Sequence, residues 1–248
     1  MTVLLEKPVE VAKNLFLLRI KPQANVNKPL AGQFVNIKAS GDNFPLIRRP
    51  ISIFNYNDDI IELVVQEIGT GTRLICQKEP GAFDMLGPFG HGFTITEKKQ
   101  VLLVGGGVGN APLYYLARRL KELNNHVTYI YGARSKDYIF LEDRYKAAVD
   151  EFYIMTDDGS KGKKGFTTDM AAELFASKNY DVVYTCGPDL MMKGITSITP
   201  NEIKIEVSLE KYFACGAGLC AGCTVETTGG LKRVCYEGPI MDGTTIVW

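Results

Sequence analysis

Four cysteines stand close together near the end of the chain: Cys215, Cys220, Cys223 and Cys235. The gaps between them are four, two and eleven residues. This is the C-x4-C-x2-C…C spacing of plant-type [2Fe–2S] centres, in which four thiolates converge on two irons from a tightly wrapped loop. Gly216, Gly218 and Gly222, interspersed with Ala214, Ala217 and Ala221, leave backbone N–H groups free to approach the sulfurs. Hydrogen bonds of that kind tune a cluster's potential. The last cysteine follows an expected hairpin: Thr224-Val225-Glu226, a Gly229-Gly230 turn, then Lys232-Arg233-Val234. The alternatives are a structural zinc site and a cysteine-rich loop without metal. Zinc more often uses two C-x2-C-like pairs. With only His91 and His126 in the chain, histidine-based metal or triad chemistry has little to draw on.

A second group of residues is suited to phosphate. Gly105-Gly106-Gly107-Val108-Gly109-Asn110-Ala111-Pro112 follows a short apolar run and opens a helix. Such a turn brings backbone N–H groups and a helix N-terminus to a pyrophosphate, and Pro112 suits a first helical turn. The sixth position of G-x-G-x-x-G is Asn110, and the next strand ends in Tyr131-Gly132-Ala133-Arg134 with no acid placed for a ribose. A further strand ends in Thr185-Cys186-Gly187-Pro188, and two turns at the carboxyl ends of parallel strands are where such sheets bind ligands. Nearer the start, Arg48-Arg49-Pro50-Ile51-Ser52 sets an arginine for a phosphate three residues before a serine. Gly69-Thr70-Gly71-Thr72 opens another helical stretch.

These groups need three kinds of scaffold. Residues 1–98 read as all-β, with apolar runs at 15–20, 33–38, 51–54, 60–66 and 93–96 between turn residues, as in a small antiparallel β-barrel. Residues 99–207 alternate strand and helix: a strand at 101–104, an apolar stripe through Leu113, Leu116, Ala117, Leu120 and Leu123, a strand at 127–131, a helix at 167–175 capped near Thr167, Thr168 or Asp169, and strands at 181–185 and 203–207, the last closing the unit. That pattern predicts a parallel α/β sheet. Residues 208–248 are too few for a core of their own, so a metal is expected to order them. The fold class is therefore multi-domain β plus α/β, with a small C-terminal metal module. Cys76 is expected to be packing, His91 a loop residue, and Asp157-Asp158 a surface loop. Tyr212 and Phe213 are expected to cover the cluster, and Trp248 to tuck against that module.

The chain has 248 residues with 28 basic and 28 acidic side chains, which argues against a nucleic-acid partner. No apolar stretch approaches the length of a membrane span. No secretory signal is visible at the start, so a cytoplasmic chain is expected.

The combination resembles the ferredoxin-NADP reductase superfamily across residues 1–206. The matching pieces are R-x-x-S at Arg49-Pro50-Ile51-Ser52, the pair Gly71-Thr72, the turn from Gly105 to Pro112, and Cys186-Gly187-Pro188-Asp189. Ser208-Leu209-Glu210, Ala214-Cys215-Gly216 and Arg233-Val234-Cys235…Gly238-Pro239 resemble the branch that carries a C-terminal [2Fe–2S] module, the electron-transfer subunits of class 1B dihydroorotate dehydrogenase. The resemblance implies FAD, a [2Fe–2S] cluster and NAD, with NADP left open. It implies that Arg49 anchors FAD phosphate, that Ser52 sits near the flavin's reactive nitrogen, that Val64, Val65 and Gln66 line the flavin, and that Gly71-Thr72 holds its pyrophosphate. Gly105, Gly106, Gly107 and Gly109, with Cys186, Gly187 and Pro188, would place the nicotinamide. Ser52 and Cys186 would be the residues at the reacting atoms. Pro50 and Ile51 stand where many relatives carry an aromatic, so stacking on the flavin must come from elsewhere. Ser135 and Lys136 lie where a 2′-phosphate contact is conceivable, a solvated loop being the plainer reading.

The implied function is electron passage between a partner flavoenzyme and NAD+ during dihydroorotate oxidation in pyrimidine biosynthesis. The implied partner is an FMN-containing dihydroorotate dehydrogenase catalytic subunit, in a heterotetramer of two of each. A related reductase subunit serving a hydrogenase, a transhydrogenase or an oxygenase is the second reading; in the transhydrogenase branch the first cluster ligand can be an acid, which Cys215 disfavours. A zinc-stabilised binding module is the third.

Overall fold

The computed structural model describes residues 2–23, 26–41 and 44–248. The N-terminal strands are β1 (Val3–Leu4), β2 (Val9–Ala12), β3 (Leu15–Lys21), β4 (Phe34–Ile37), β5 (Arg49–Asn57) and β6 (Ile60–Gln66). Helix α1 (Thr70–Cys76) and strands β7 (Gly81–Ala82) and β8 (Met85–Phe89) follow. The strand order is β7-β1-β3-β6-β5-β4-β8, with β2 on β3. The expected antiparallel barrel takes the form of a curled half-barrel. Bulges between Glu10 and Ala12, Phe34 and Asn36, and Ile53 and Asn55 increase the local twist. The β5–β6 hairpin closes through Asp58 and Asp59, both at positive φ, as a two-residue type I′ turn requires.

One expected strand is absent. Residues 93–96 run as an extended connection, without a ladder. Their polar groups are paired singly. The Phe93 N–H donates to the Ala31 carbonyl at 2.8 Å, the Thr94 N–H donates to Glu206 Oε2 at 2.9 Å, and the Tyr184 hydroxyl donates to the Thr94 carbonyl. Those partners lie on both sides, so the stretch ties the two large sheets together.

The second sheet is built from β9 (Gln100–Gly106), helix α2 (Asn110–Glu122), β10 (His126–Ala133), α3 (Glu142–Ala147), β11 (Glu151–Thr156), β12 (Lys163–Lys164), α4 (Thr167–Ser177), β13 (Val182–Cys186), α5 (Asp189–Ile198) and β14 (Lys204–Ser208). Leu113, Leu116, Ala117 and Leu120 are fully buried on α2, as the stripe predicts. At α4 the Asp169 carboxylate accepts from the Phe166 N–H at 2.9 Å. The order β12-β11-β10-β9-β13-β14 reverses direction between β9 and β13. That switch point brings the Gly105–Gly109 turn beside Cys186-Gly187-Pro188. Elements α3, β11 and β12 carry no periodicity that the sequence makes legible; α3 and β11 are held by an aromatic group of Tyr129, Tyr131, Phe140 and Tyr145 with Phe152, and β12 by pairing with β11.

The expected C-terminal hairpin is present as β15 (Thr224–Thr227) and β16 (Gly230–Arg233), followed by α6 (Val234–Glu237) and β17 (Ile240–Asp242). β14 does not close its sheet. β17 returns to pair antiparallel with it, Ser208 facing Ile240 and Glu206 facing Asp242. The C-terminal segment is thus anchored by a strand as well as by whatever its cysteines bind. Among the described residues no helix is long and apolar enough to cross a membrane.

Candidate functional site

The loop between β14 and β15 turns its backbone inward around sulfur. Gly216, Gly218 and Ala221 adopt positive φ, which folds successive N–H groups toward one centre. Cys215 Sγ accepts from the N–H groups of Ala217, Leu219 and Cys220 at 3.3–3.5 Å. Cys235 Sγ accepts from Gly218 at 3.2 Å, Cys223 Sγ from Cys235 at 3.4 Å, and Cys220 Sγ from Gly222 at 3.4 Å. The N–H groups of Ala217 and Cys220 hold the Cys215 thiol down at about 6, so it ionises readily. Burial pushes Cys235 up to about 12, so its proton must leave as metal binds. Each of the four Sγ atoms thus accepts from at least one backbone N–H, a donor set that fits a [2Fe–2S] cluster. Cys223 and Cys235 are buried against Phe34 and Val234, while Cys220 is exposed.

Beneath the loop, Arg233 donates to the Gly218 carbonyl at 2.6 Å, stacks on Tyr236 and pairs with Glu237. Arg233 in turn holds the Glu237 carboxyl down to about 2. A Cβ on Gly218 would meet the Tyr236 ring at 2.8 Å. Of the two residues expected to cover the cluster, Phe213 does so, packed on Phe34 with ring centroids 5.1 Å apart. Tyr212 does not; it is 97 % exposed. Its neighbour in sequence takes the apolar site, and the alternation of an extended chain turns Tyr212 outward. Trp248 packs against the same core as Cys223, as expected.

The R-x-x-S residues lie on β5. Arg49 reaches over α1, where a Cβ on Gly71 would sit 2.0 Å from its Nε. Glycine at 71 is what lets the guanidinium lie there. The Thr72 hydroxyl accepts from the Ile68 and Gly69 N–H groups at 3.0 and 3.2 Å, so it caps α1. Val64 and Val65 are buried in the barrel core. Pairing of β6 with β5 ends at Leu63, whereas pairing with β3 continues to Gln66. Ser52 is half-buried and faces Phe34 across the β4–β5 ladder, and Pro50 faces Asn36.

At the switch point the two turns touch through glycine. A Cβ on Gly109 would lie 2.6 Å from the Cys186 carbonyl oxygen, and one on Gly187 3.1 Å from the Gly106 backbone. Burial pushes the Cys186 thiol up to about 12, so it stays neutral. Asn110 is fully buried; its Nδ2 donates to the Gly107 and Gly132 carbonyls at 2.8 and 3.1 Å, and Tyr129 donates to its Oδ1. The departure from a glycine at this position is a brace for the turn rather than a ligand contact. Beyond β10 and β11 a cavity of about 540 Å³ is lined by Lys13, Arg134, Ser135, Tyr138, Asp137, Asp157 and Asp158. The Lys136 N–H is engaged by Ser160 Oγ at 2.8 Å.

Known proteins match this arrangement. Residues 210–247 match the model described as the iron–sulfur cluster binding domain of dihydroorotate dehydrogenase B, and residues 103–197 match the oxidoreductase NAD-binding domain. A curated protein from Geobacillus sp., the electron transfer subunit of dihydroorotate dehydrogenase B (NAD(+)), is 37% identical over all of this chain and 97% of its own length. The chain belongs to this family. A Fusobacterium nucleatum protein of the same name is 36% identical over 95% of this chain and 93% of its own length. In fold, the chain is similar to an NADH-dependent reduced ferredoxin-NADP oxidoreductase studied for flavin-based electron bifurcation. The TM-score is 0.88 with 33% identity, over 99% of this chain and 90% of that one. Phthalate dioxygenase reductase, at 20% identity and a TM-score of 0.66 over 87% of this chain and 70% of that one, shares the fold.

Proposed function

We infer that the chain is the electron-transfer subunit of an NAD-linked dihydroorotate dehydrogenase, passing electrons between a catalytic partner and NAD+ through FAD and a [2Fe–2S] cluster. One observation carries the reading. Strand β4 pairs with the R-x-x-S strand along one edge, and the same strand packs on the cysteine loop. The strand that carries R-x-x-S and the cysteine loop therefore share β4 as a common neighbour.

Bound there, FAD exchanges electron pairs with a nicotinamide and single electrons with a carrier, and a [2Fe–2S] cluster carries one electron at a time. The chain's own residues bind and orient. Arg49 holds phosphate, with Gly71 giving it room, and Ser52 stands at the reacting end of the flavin site. Gly106, Gly109 and Gly187 let the two turns pack against each other, which sets the backbone N–H groups that would hold a dinucleotide. Cys186 contributes a neutral thiol and shape rather than a nucleophile. The division of labour follows the sheets: 1–98 for FAD, 99–207 for NAD and 208–248 for the cluster.

The catalytic partner carries FMN and assembles two-by-two with this chain, in the cytoplasm. Support comes from the outer side of the cysteine loop, where Cys220 is exposed beside Leu219 and Tyr212, apolar groups 87 % and 97 % exposed. Surfaces of that kind mark protein contacts. The test is Cys220→Ser in the complex purified from its host. Electron delivery between dihydroorotate and NAD+ should fall at least a hundredfold, while NADH-dependent dye reduction through FAD stays within twofold. Survival of both activities with a normal cluster spectrum, or co-purification with a hydrogenase or oxygenase component instead, overturns the reading.

A further inference from the structure

One arginine holds the centre of the cysteine loop. The Gly218 carbonyl accepts from Arg233 Nη1 at 2.6 Å. The peptide that carries this carbonyl is trans, so its N–H, which belongs to Leu219, points the opposite way. That N–H donates to Cys215 Sγ at 3.3 Å. The preceding N–H, that of Gly218 itself, donates to Cys235 Sγ at 3.2 Å. A single guanidinium therefore grips the residue whose two flanking peptides supply donors to two of the four sulfurs.

The arginine is itself held still. Its Nε donates to both Glu237 carboxylate oxygens, at 3.1 and 3.2 Å, and its Nη2 donates to Oε1. The same carboxylate accepts from the Arg233 backbone N–H at 2.7 Å. The guanidinium also lies over the Tyr236 ring, 4.8 Å from its centroid. Tyr236 stands where a Cβ on Gly218 would fall, so glycine is what brings the loop down onto this platform. The Arg233 and Glu237 side chains are 36 % and 30 % exposed. An ion pair this exposed adds little to stability; its effect is to fix the guanidinium at the loop.

We propose that Arg233 is a positioning residue that raises the reduction potential of the cluster through the Gly218–Leu219 peptide. This rests on the [2Fe–2S] assignment above. A charge-assisted bond at the carbonyl polarises the peptide and strengthens its N–H as a donor to Cys215 Sγ. Stronger donation to a cluster sulfur stabilises the reduced state, which carries the extra negative charge. Glu237 balances the guanidinium, so the pair acts by orienting and polarising one peptide and not as a net charge.

The test uses the holoprotein with FAD and cluster bound. Arg233→Met combined with Glu237→Gln removes the pair without changing the net charge. A redox titration followed by the electron paramagnetic resonance of the reduced cluster should show a lower potential. The expected shift corresponds to about a tenfold change in electron occupancy, ~59 mV for one electron. Arg233→Lys keeps the charge but not the planar fork, and should fall between wild type and the double variant. A second measurement reads the peptide directly. Among the described residues, Leu219 is the one leucine whose N–H donates to a cysteine sulfur. Wild-type protein labelled with ¹⁵N-leucine should show a ¹⁵N hyperfine coupling to the reduced cluster, and the double variant a weaker one. Unchanged potentials in the loaded variants, or no such coupling in wild type, overturn the role of Arg233. So does a lowered potential with an unchanged coupling, because the arginine would then act without the Leu219 peptide. Absence of any [2Fe–2S] signal from wild-type protein made anaerobically overturns the cofactor assignment instead.

Discussion

Arg49 and Gly71 form the smallest unit whose chemistry can be separated from the fold. Helix propensity alone says that Gly71→Ala on α1 stabilises the chain by about 1 kcal/mol. Contact geometry says the reverse for function, because the new methyl group would lie 2.0 Å from Arg49 Nε. The guanidinium must swing away, and the FAD phosphate that we propose it holds would lose a charge-assisted partner worth about 1.5–3 kcal/mol. We therefore expect Gly71→Ala to keep or raise the melting temperature of the apoprotein while weakening FAD binding about tenfold or more, as measured by titrating flavin into deflavinated protein. Unaltered FAD affinity would show that Arg49 does not carry the phosphate. The thiols divide in the same residue-by-residue way. Burial lifts Cys76 and Cys186 to about 12, whereas backbone donors lower Cys215. One residue type thus serves packing, a nucleotide turn and metal ligation, according to what surrounds it.

Between elements, one contact that joins the half-barrel to the α/β sheet is a polar latch. Arg144 of α3 lies against the stacked rings of Phe54 and Tyr114, 4.8 and 4.9 Å from their centroids, and pairs with Glu62 of β6. Glu62 also accepts from Asn55 at 2.8 Å, and Asn55 accepts from Arg118 of α2 at 2.8 Å. Burial pushes the Glu62 carboxyl up, but the hydrogen bonds from Arg144, Asn55 and Arg19 outweigh it and leave the pKa below the usual carboxylate value. A carboxyl depressed in the folded state stabilises it above the unfolded pKa of about 4.3, and that contribution is lost as pH falls through the folded value. Arg144→Ala, which leaves Glu62 buried without its main partner, should cost about 3 kcal/mol at pH 7. Glu62→Gln should flatten the fall in melting temperature below about pH 4.3 relative to wild type. Parallel acid profiles for the two proteins would place the pH dependence elsewhere.

At the scale of the molecule, three chain segments meet at one point. A Cβ on Gly32 would touch both Phe93 and Ile240 at 2.8–2.9 Å, joining half-barrel, connection and C-terminal segment. β17, which carries Ile240, pairs with β14, the strand that leads into the cysteine loop. Removal of iron by an anaerobic chelator should therefore release the loop without releasing its anchor. In hydrogen exchange, amides of residues 214–223 should lose protection by a hundredfold or more, while those of 204–208 and 240–242 change little. Loss of protection at 240–242 together with the loop would mean that metal, not β-pairing, holds the segment.

Much of this molecule is legible in sequence for a physical reason. Cluster ligation, phosphate-binding turns and buried parallel strands each impose a local spacing, so the four clustered cysteines, the turn from Gly105 to Gly109, R-x-x-S and the strand–helix alternation are readable without neighbours. The elements α3, β11 and β12, the course of residues 93–96, and the outward face of Tyr212 are not, because each depends on a partner far away in the chain. The same holds for Asn110. As a letter it is an off-pattern turn residue. Only the tertiary structure sets it as a brace between the glycine turn and β10, since burial and hydrogen-bond supply are decided by what packs across from a residue and not by what precedes it.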